Sequence, residues 1–181
     1  MSVTPEVPAP DAKDWTWVIH EPCPGCGFDP RPVEHEDVPR LTRDHATAIA
    51  QRLDLDDAGV RPEPAVWSPL EYGCHVRDVC ALFAERLHRM LTEDDPLFAN
   101  WDQDETALEQ RYWTQQPAEV GSQLRRNADL IAAAFAAVGG AQWQRPGRRD
   151  NGSVFTVDTF ARYFLHDLAH HAWDVSGRPG G

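Results

Sequence analysis

The chain has 181 residues, enough for one domain with a substantial core, and its 41% hydrophobic and 25% charged content is that of a folded globular protein rather than a disordered one. Against 29 acidic residues stand only 17 Lys and Arg, a formal charge of −12, which argues against a nucleic-acid binder and disfavours anionic membrane surfaces. No apolar run approaches the roughly 20 residues needed to span a bilayer, and four cysteines without an export signal point to reduced thiols and a cytoplasmic setting.

The first 14 or so residues are polar, acidic and Pro-rich and read as a mobile tail, not as a signal peptide. They open an arm over residues 1–37 that is too broken by Pro for long elements, with Trp15 and Trp17 expected to pack it onto the body. Within the arm, "PCPGCGFD" holds Cys23 and Cys26 two residues apart, and Gly25 and Gly27 permit a tight turn. This is half of a zinc knuckle, and the sequence contains no second half. A structural zinc would have to draw further ligands from Cys74, Cys80, His20 or His35. A redox pair would want a strand before it and a helix after it. The Pro-rich context favours a compact turn of reduced thiols that closes the arm over the rest of the chain.

Four long amphipathic segments follow within residues 38–176, ahead of a short tail at 177–181. The first runs from about Val38 to Leu53, with Leu41, His45, Ala48 and Arg52 on one face and Ile49 flanking it. The second opens at "WSPLEYG", where Ser68 suits an N-cap, Pro69 the first helical position and Glu71 the closing position of a capping box. Val76, Cys80, Phe83, Leu87 and Met90 form its apolar stripe, with His75, Val79 and Leu82 beside it. A short helix is expected around Glu105 to Trp113. The third long segment carries Val120, Leu124, Ile131, Phe135 and Val138 and ends at Gly139-Gly140, which suits a C-terminal cap. The fourth starts near Thr156 or Asp158 and stops before Gly177. No stretch shows strand alternation, so the fold class expected is all-α, an antiparallel four-helix bundle.

The last segment contains His166-Asp167-Leu168-Ala169-His170-His171. His166 and His170 are four residues apart, on one side of a helix, where two imidazoles can grip one ion. Taken alone, such a pair equally suits a helix C-terminus, where cations are favoured. Tyr163 and Trp173 share that side, while Phe164, Leu168 and Val175 lie roughly opposite. His75 is expected to face inward from the first turns of the second helix.

"WSPLEYGCHVRDV", followed about ninety residues later by "FLHDLAHH", resembles the DinB/YfiT-like family, also described as thiol-transferase-like. Trp67, Ser68, Glu71 and His75 match its W-[ST]-xx-[EQ]-xxx-H pattern, and His166 and His170 match its H-x3-H pair. The resemblance covers roughly residues 38–176 and implies a four-helix bundle in which three histidines hold a metal. His75, His166 and His170 are then the ligands of Zn²⁺ or Ni²⁺ and, through it, the catalytic centre. The tandem His170-His171 leaves a second register open, in which Asp167 and His171 are the i,i+4 pair.

Three ligands on one side leave open positions for a water or a substrate thiol. The resemblance implies thiol S-transfer with a low-molecular-weight thiol as cosubstrate. Lys13 is the only lysine beside abundant Arg, Ala and Pro, which fits a GC-rich, actinobacterial genome and makes mycothiol the expected thiol. Arg162 and Tyr163 near the histidine pair, and Arg148 and Arg149 in a basic loop before the last helix, are expected to bind an anionic part of a small-molecule substrate. Tyr72, Trp101 and Trp173 are further candidate pocket walls, Asp78 a carboxylate to orient His75, and His45 a core or rim residue. A metal-dependent hydrolase is the rival chemistry, and a non-enzymatic metal-binding or assembly module the alternative class. A homodimer is an open expectation.

Overall fold

The computed structural model describes residues 5, 6, 8 and 14–176. Most of the expected N-terminal tail, and all of the C-terminal tail with Gly177, lie outside the described residues. Among the described residues, five α-helices run in chain order: α1 (Val38–Arg52), α2 (Pro69–Thr92), α3 (Gln103–Glu109), α4 (Pro117–Ala136) and α5 (Val157–Asp174). The four long ones form the bundle. Helix α4 packs against both α1 and α2, and α5 closes against the same pair.

Capping chemistry fixes where the helices start. At the head of α2 the Ser68 hydroxyl accepts from the Glu71 amide at 3.3 Å, and the Glu71 carboxylate accepts from the Ser68 amide at 2.8 Å. Arg61 then grips the same carboxylate at 2.5 and 2.9 Å, so a buried Glu is fully paired. Thr156 caps α5 and Asp102 caps α3 through side-chain oxygens on backbone amides. A small cluster of Leu53, Trp67, Leu70 and Tyr112 beneath the α1–α2 connection holds this end of α2 in place.

The main core is aromatic at its centre. Phe83 of α2 stacks on Phe160 of α5 at 4.5 Å and meets Phe164 at 5.2 Å, while Phe135 of α4 reaches Phe164 at 5.8 Å. Burying each such ring contributes roughly 1.5–3 kcal/mol. The apolar stripes expected on α2 and α4 are the buried ones. On α1 the face is turned relative to expectation: Val38, Thr42, Ala46, Ile49 and Ala50 are buried, whereas Ala48 is exposed and Leu41 and His45 only partly covered. The small residues allow close approach, and Gly121 of α4 does lie against Ala50.

A three-stranded sheet corrects the expectation of none. Strands β1 (Leu97–Phe98), β2 (Pro146–Arg149) and β3 (Val154–Thr156) lie in that order, β1 parallel to β2 and β2 antiparallel to β3. Strands of two to four residues are too short to show a period of two. The expected short helix is present as α3 followed by a 3-10 turn at Tyr112–Thr114. Gly140 does adopt positive φ, but it opens another 3-10 turn instead of capping α4, whose C-cap is Ala137.

The arm lies against the last helix of the bundle. A 3-10 turn at Thr16–Ile19 packs on α5, and Val18, Cys23 and Val33 are buried. Among the described residues, no helix is long and apolar enough to cross a membrane.

Candidate metal centre and cavity

The C-terminal half of α5 presents its side chains in two directions. Neighbouring helix residues are about 100° apart, so the pairs 166/170 and 167/171 form adjacent faces. The planes of His170 and His171 are at 90° to one another. Among the described residues, each face completes a different cluster of metal-ligating groups.

The first cluster is His75, Asp167 and His171, with one ligand atom from each within 4.8 Å of the others. The capping box starts α2, and His75 follows one turn after Glu71, only 1% exposed. Trp101 stacks against its ring at 5.5 Å and 17°, and Trp67 packs at 5.5 Å. His75 Nε2 is 3.8 Å from one Asp167 oxygen, and His171 Nε2 is 3.7 Å from the other. These separations are too long for hydrogen bonds but close to the roughly 3.4 Å between two ligands of one tetrahedral ion. Neither ring nitrogen of His75, nor Asp167 Oδ2, has a hydrogen-bond partner among the described residues, although all three atoms are buried. Stranded buried polar atoms are costly; a divalent cation would satisfy His75 Nε2 and Asp167 Oδ2 together, so the donor set fits one. Outside this cluster, Asp174 accepts from His171 Nδ1 at 2.9 Å. That contact fixes the tautomer and turns the Nε2 lone pair inward, as carboxylates do behind metal-bound histidines. Burial pushes His75 well below the ordinary imidazole value, with His171 adding to it, and burial pushes Asp167 up.

The second cluster is Cys23, Cys26, His166 and His170, again within 4.8 Å. The arm delivers the two thiols through a turn in which the Gly27 amide bonds the Cys23 carbonyl at 2.8 Å and Gly27 takes φ +76°. Cys23 Sγ lies 3.7 Å from His170 Nδ1. His166 Nε2 is buried with no hydrogen-bond partner among the described residues. Trp15 packs on both imidazoles, at 5.4 and 5.3 Å. Burial pushes the Cys26 thiol up to about 11, and burial with the neighbouring histidines pushes His166 down to about 4.

The three histidines singled out from sequence therefore do not share one cluster: His166 and His170 face the arm, and His75 joins Asp167 and His171 instead. The other cysteines and histidines considered for the arm knuckle stand elsewhere. Cys74 and Cys80 are buried within the bundle, where burial pushes Cys74 up to about 12 and Cys80 higher still, and His35 pairs with Asp158 at 2.9 Å.

Both clusters border a cavity of about 1130 Å³. Trp15, Trp67, Tyr72, Trp101 and Tyr163 supply much of its wall, and Arg149 faces it while donating to Asn100 Oδ1 at 2.9 Å. Arg148 and Arg162, expected beside Arg149 and Tyr163, are not among the lining residues. Arg148 pairs with Asp95 at 3.0 Å, because alternation along β2 turns it away from its neighbour. Arg162 pairs with Asp158 and donates to the Pro30 carbonyl, fastening the arm to α5. Asp78 accepts from Tyr112 at 2.6 Å and from Arg77, and does not reach His75. Trp173 packs on His170 at 5.4 Å. Asp174 was not singled out from the sequence; its only signal is its spacing, three and four residues after His171 and His170.

With this geometry in hand, comparison with known proteins is informative. The family model described as the DinB superfamily matches residues 40–175, most of the chain. The chain belongs to the DinB superfamily. Among solved structures, it is similar to YfiT from Bacillus subtilis, described as a probable metal-dependent hydrolase with an unusual four-helix bundle topology. The two share 16% sequence identity with a TM-score of 0.70, over 82% of this chain and 91% of that one. A search of curated proteins finds no significant match. The DinB match contains every histidine and aspartate of both clusters but not Cys23 and Cys26, which lie in the arm that precedes it.

Proposed function

We propose that this DinB-superfamily protein is a metal-dependent enzyme acting on a small molecule in the cavity, with His75, Asp167 and His171 as its catalytic ligands. The observation that carries the reading is the set of buried, unsatisfied donor atoms on His75 and Asp167 converging with His171 at the cavity edge. A divalent cation such as Zn²⁺ or Ni²⁺ bound there would supply a Lewis acid that makes a thiol or a water acidic enough to attack near neutral pH.

The chain's own groups do the rest. Asp174 holds the proton on His171 Nδ1 and so keeps Nε2 available. Trp67 and Trp101 lock the His75 ring in plane and keep water from its flanks. Arg149, steadied by Asn100, offers a cation to an anionic substrate group, with Tyr163 on the same wall.

The favoured chemistry is thiol S-transfer with a low-molecular-weight thiol of the mycothiol type. A cavity of about 1130 Å³ exceeds the roughly 300–1,000 Å³ that one small ligand commonly occupies, and so leaves room for a thiol beside its acceptor. The donor set favours a second reading: two imidazoles with one carboxylate is also the arrangement of water-activating zinc hydrolases. YfiT is itself described as a probable hydrolase. Untagged protein incubated with electrophilic and ester substrates, with and without added thiol, separates the two. S-transfer requires turnover only when thiol is present; hydrolysis requires turnover without it. Turnover that survives exhaustive chelation overturns both.

A further inference from the structure

We infer that Cys23, Cys26, His166 and His170 form a second metal site, a closed structural zinc that pins the N-terminal arm to α5 and thereby builds one wall of the cavity. The inference stands apart from the reading of the His75 cluster. It rests on four side chains from two distant parts of the chain whose ligand atoms converge within 4.8 Å.

Each half of the set has the geometry zinc needs. The Cys-x2-Cys turn points two sulfurs the same way, held by the Gly27 amide on the Cys23 carbonyl and the Cys23 amide on the Phe28 carbonyl. The i,i+4 histidines offer two nitrogens from one helix face. His170 turns Nδ1 toward Cys23 Sγ at 3.7 Å, so one of its ring nitrogens already faces the thiol. His166 Nε2 supplies an independent sign, being buried without a hydrogen-bond partner among the described residues. All four cysteines are free thiols, so no disulfide competes for Cys23 or Cys26. Two nitrogens and two sulfurs favour tetrahedral Zn²⁺, and four protein ligands leave no open position, as in structural sites. On binding, each thiol gives up its proton and its sulfur donates a lone pair to the ion; no electron changes hands.

The site ties the arm to the cavity. Trp15, Cys23, Pro24 and Gly25 all line it. At Gly25 a Cβ would stand 3.3 Å from His170 Cε1 and 3.6 Å from Cys23 Sγ, so the turn lies directly against the cluster.

The test uses full-length, untagged protein. Metal analysis should find two equivalents of divalent metal in the wild type, one in Cys23→Ser/Cys26→Ser and one in His75→Ala/His171→Ala. The Co²⁺-substituted wild type should show a near-ultraviolet thiolate-to-metal charge-transfer band, which His75→Ala/His171→Ala keeps. Should Cys23→Ser/Cys26→Ser fail to fold, the cobalt spectrum of the wild type still decides, together with thiol titration of native protein before and after chelation. Two thiols should become reactive only once metal is removed. A metal-loaded wild type with no thiolate band, a Cys double variant that retains two equivalents, or an iron–sulfur absorption spectrum overturns the proposal. Loss of turnover in His75→Ala/His171→Ala with the cobalt–thiolate band intact would bear on the catalytic reading alone.

Discussion

Two ligand pairs sit on the same turn of α5, one residue out of step, yet they face different partners. His166 and His170 meet two thiols from the arm; Asp167 and His171 meet one imidazole from α2. The first set is complete at four ligands, and the second stops at three beside a cavity. The histidines are chemically the same on both faces. On the proposed assignment, what would separate a structural from a catalytic site is the number of ligands the opposite element supplies.

Removing a ligand on the open side should have the largest effect on activity and leave the other side alone. His75→Ala is expected to lower turnover by more than about 100-fold, beyond the 10–100-fold that outer carboxylates usually control, while the arm stays protected from protease. Kinetics and limited proteolysis on the same preparation check both halves. Removing the thiols should do the reverse. Cys23→Ser/Cys26→Ser is expected to expose the arm to protease and lower the melting temperature by several degrees, since a bound ion present at about 100 times its Kd contributes about 2.7 kcal/mol. Equal loss of both metals in either variant would collapse the distinction.

Asp174 is hydrogen-bonded to His171, so Asp174→Asn should weaken metal binding at the His75 cluster by about 10–100-fold and spare the thiol cluster. Competition with a chromophoric chelator measures this; an equal loss at both equivalents would show the carboxylate to serve both histidines. At Glu71 the effect expected is on stability alone. Glu71→Gln keeps the shape of the cap but removes a buried charge from Arg61, and should lower stability by about 3 kcal/mol in denaturant titration without changing the arm's metal. Smallest of all, Gly25→Ala should cost under about 1 kcal/mol, because the His170 ring must give by only a few tenths of an ångström.

The helices were legible in the sequence because their signals are local: apolar spacing on α2 and α4, the Ser68–Glu71 box, Thr156 before α5. The turned face of α1 was not, because Ala46 and Ala50 look less apolar than Leu41 until α4 is seen to lie against them. The strands around Arg149 were too short to carry a pattern. Among site residues, His75 and the α5 pairs could be found by spacing, and Asp167/His171 stood as an open register beside His166/His170. Their division into two clusters could not be read, since it depends on a contact between residues 147 positions apart, Cys23 and His170. The turn of the arm was legible as a turn; its partners were not.

The carboxylate of Asp174 behind His171 has a consequence for charge. With both ions bound, two thiolates, Asp167 and Asp174 together balance two dications, so the whole assembly at the end of α5 is electrically neutral and needs no counter-ion inside the protein. Taking away either ion breaks that balance, and protons must enter to restore it. Each set balances its own dication, the thiolates in one and Asp167 with Asp174 in the other, so each should take up and release its protons with its own ion and load independently of its neighbour.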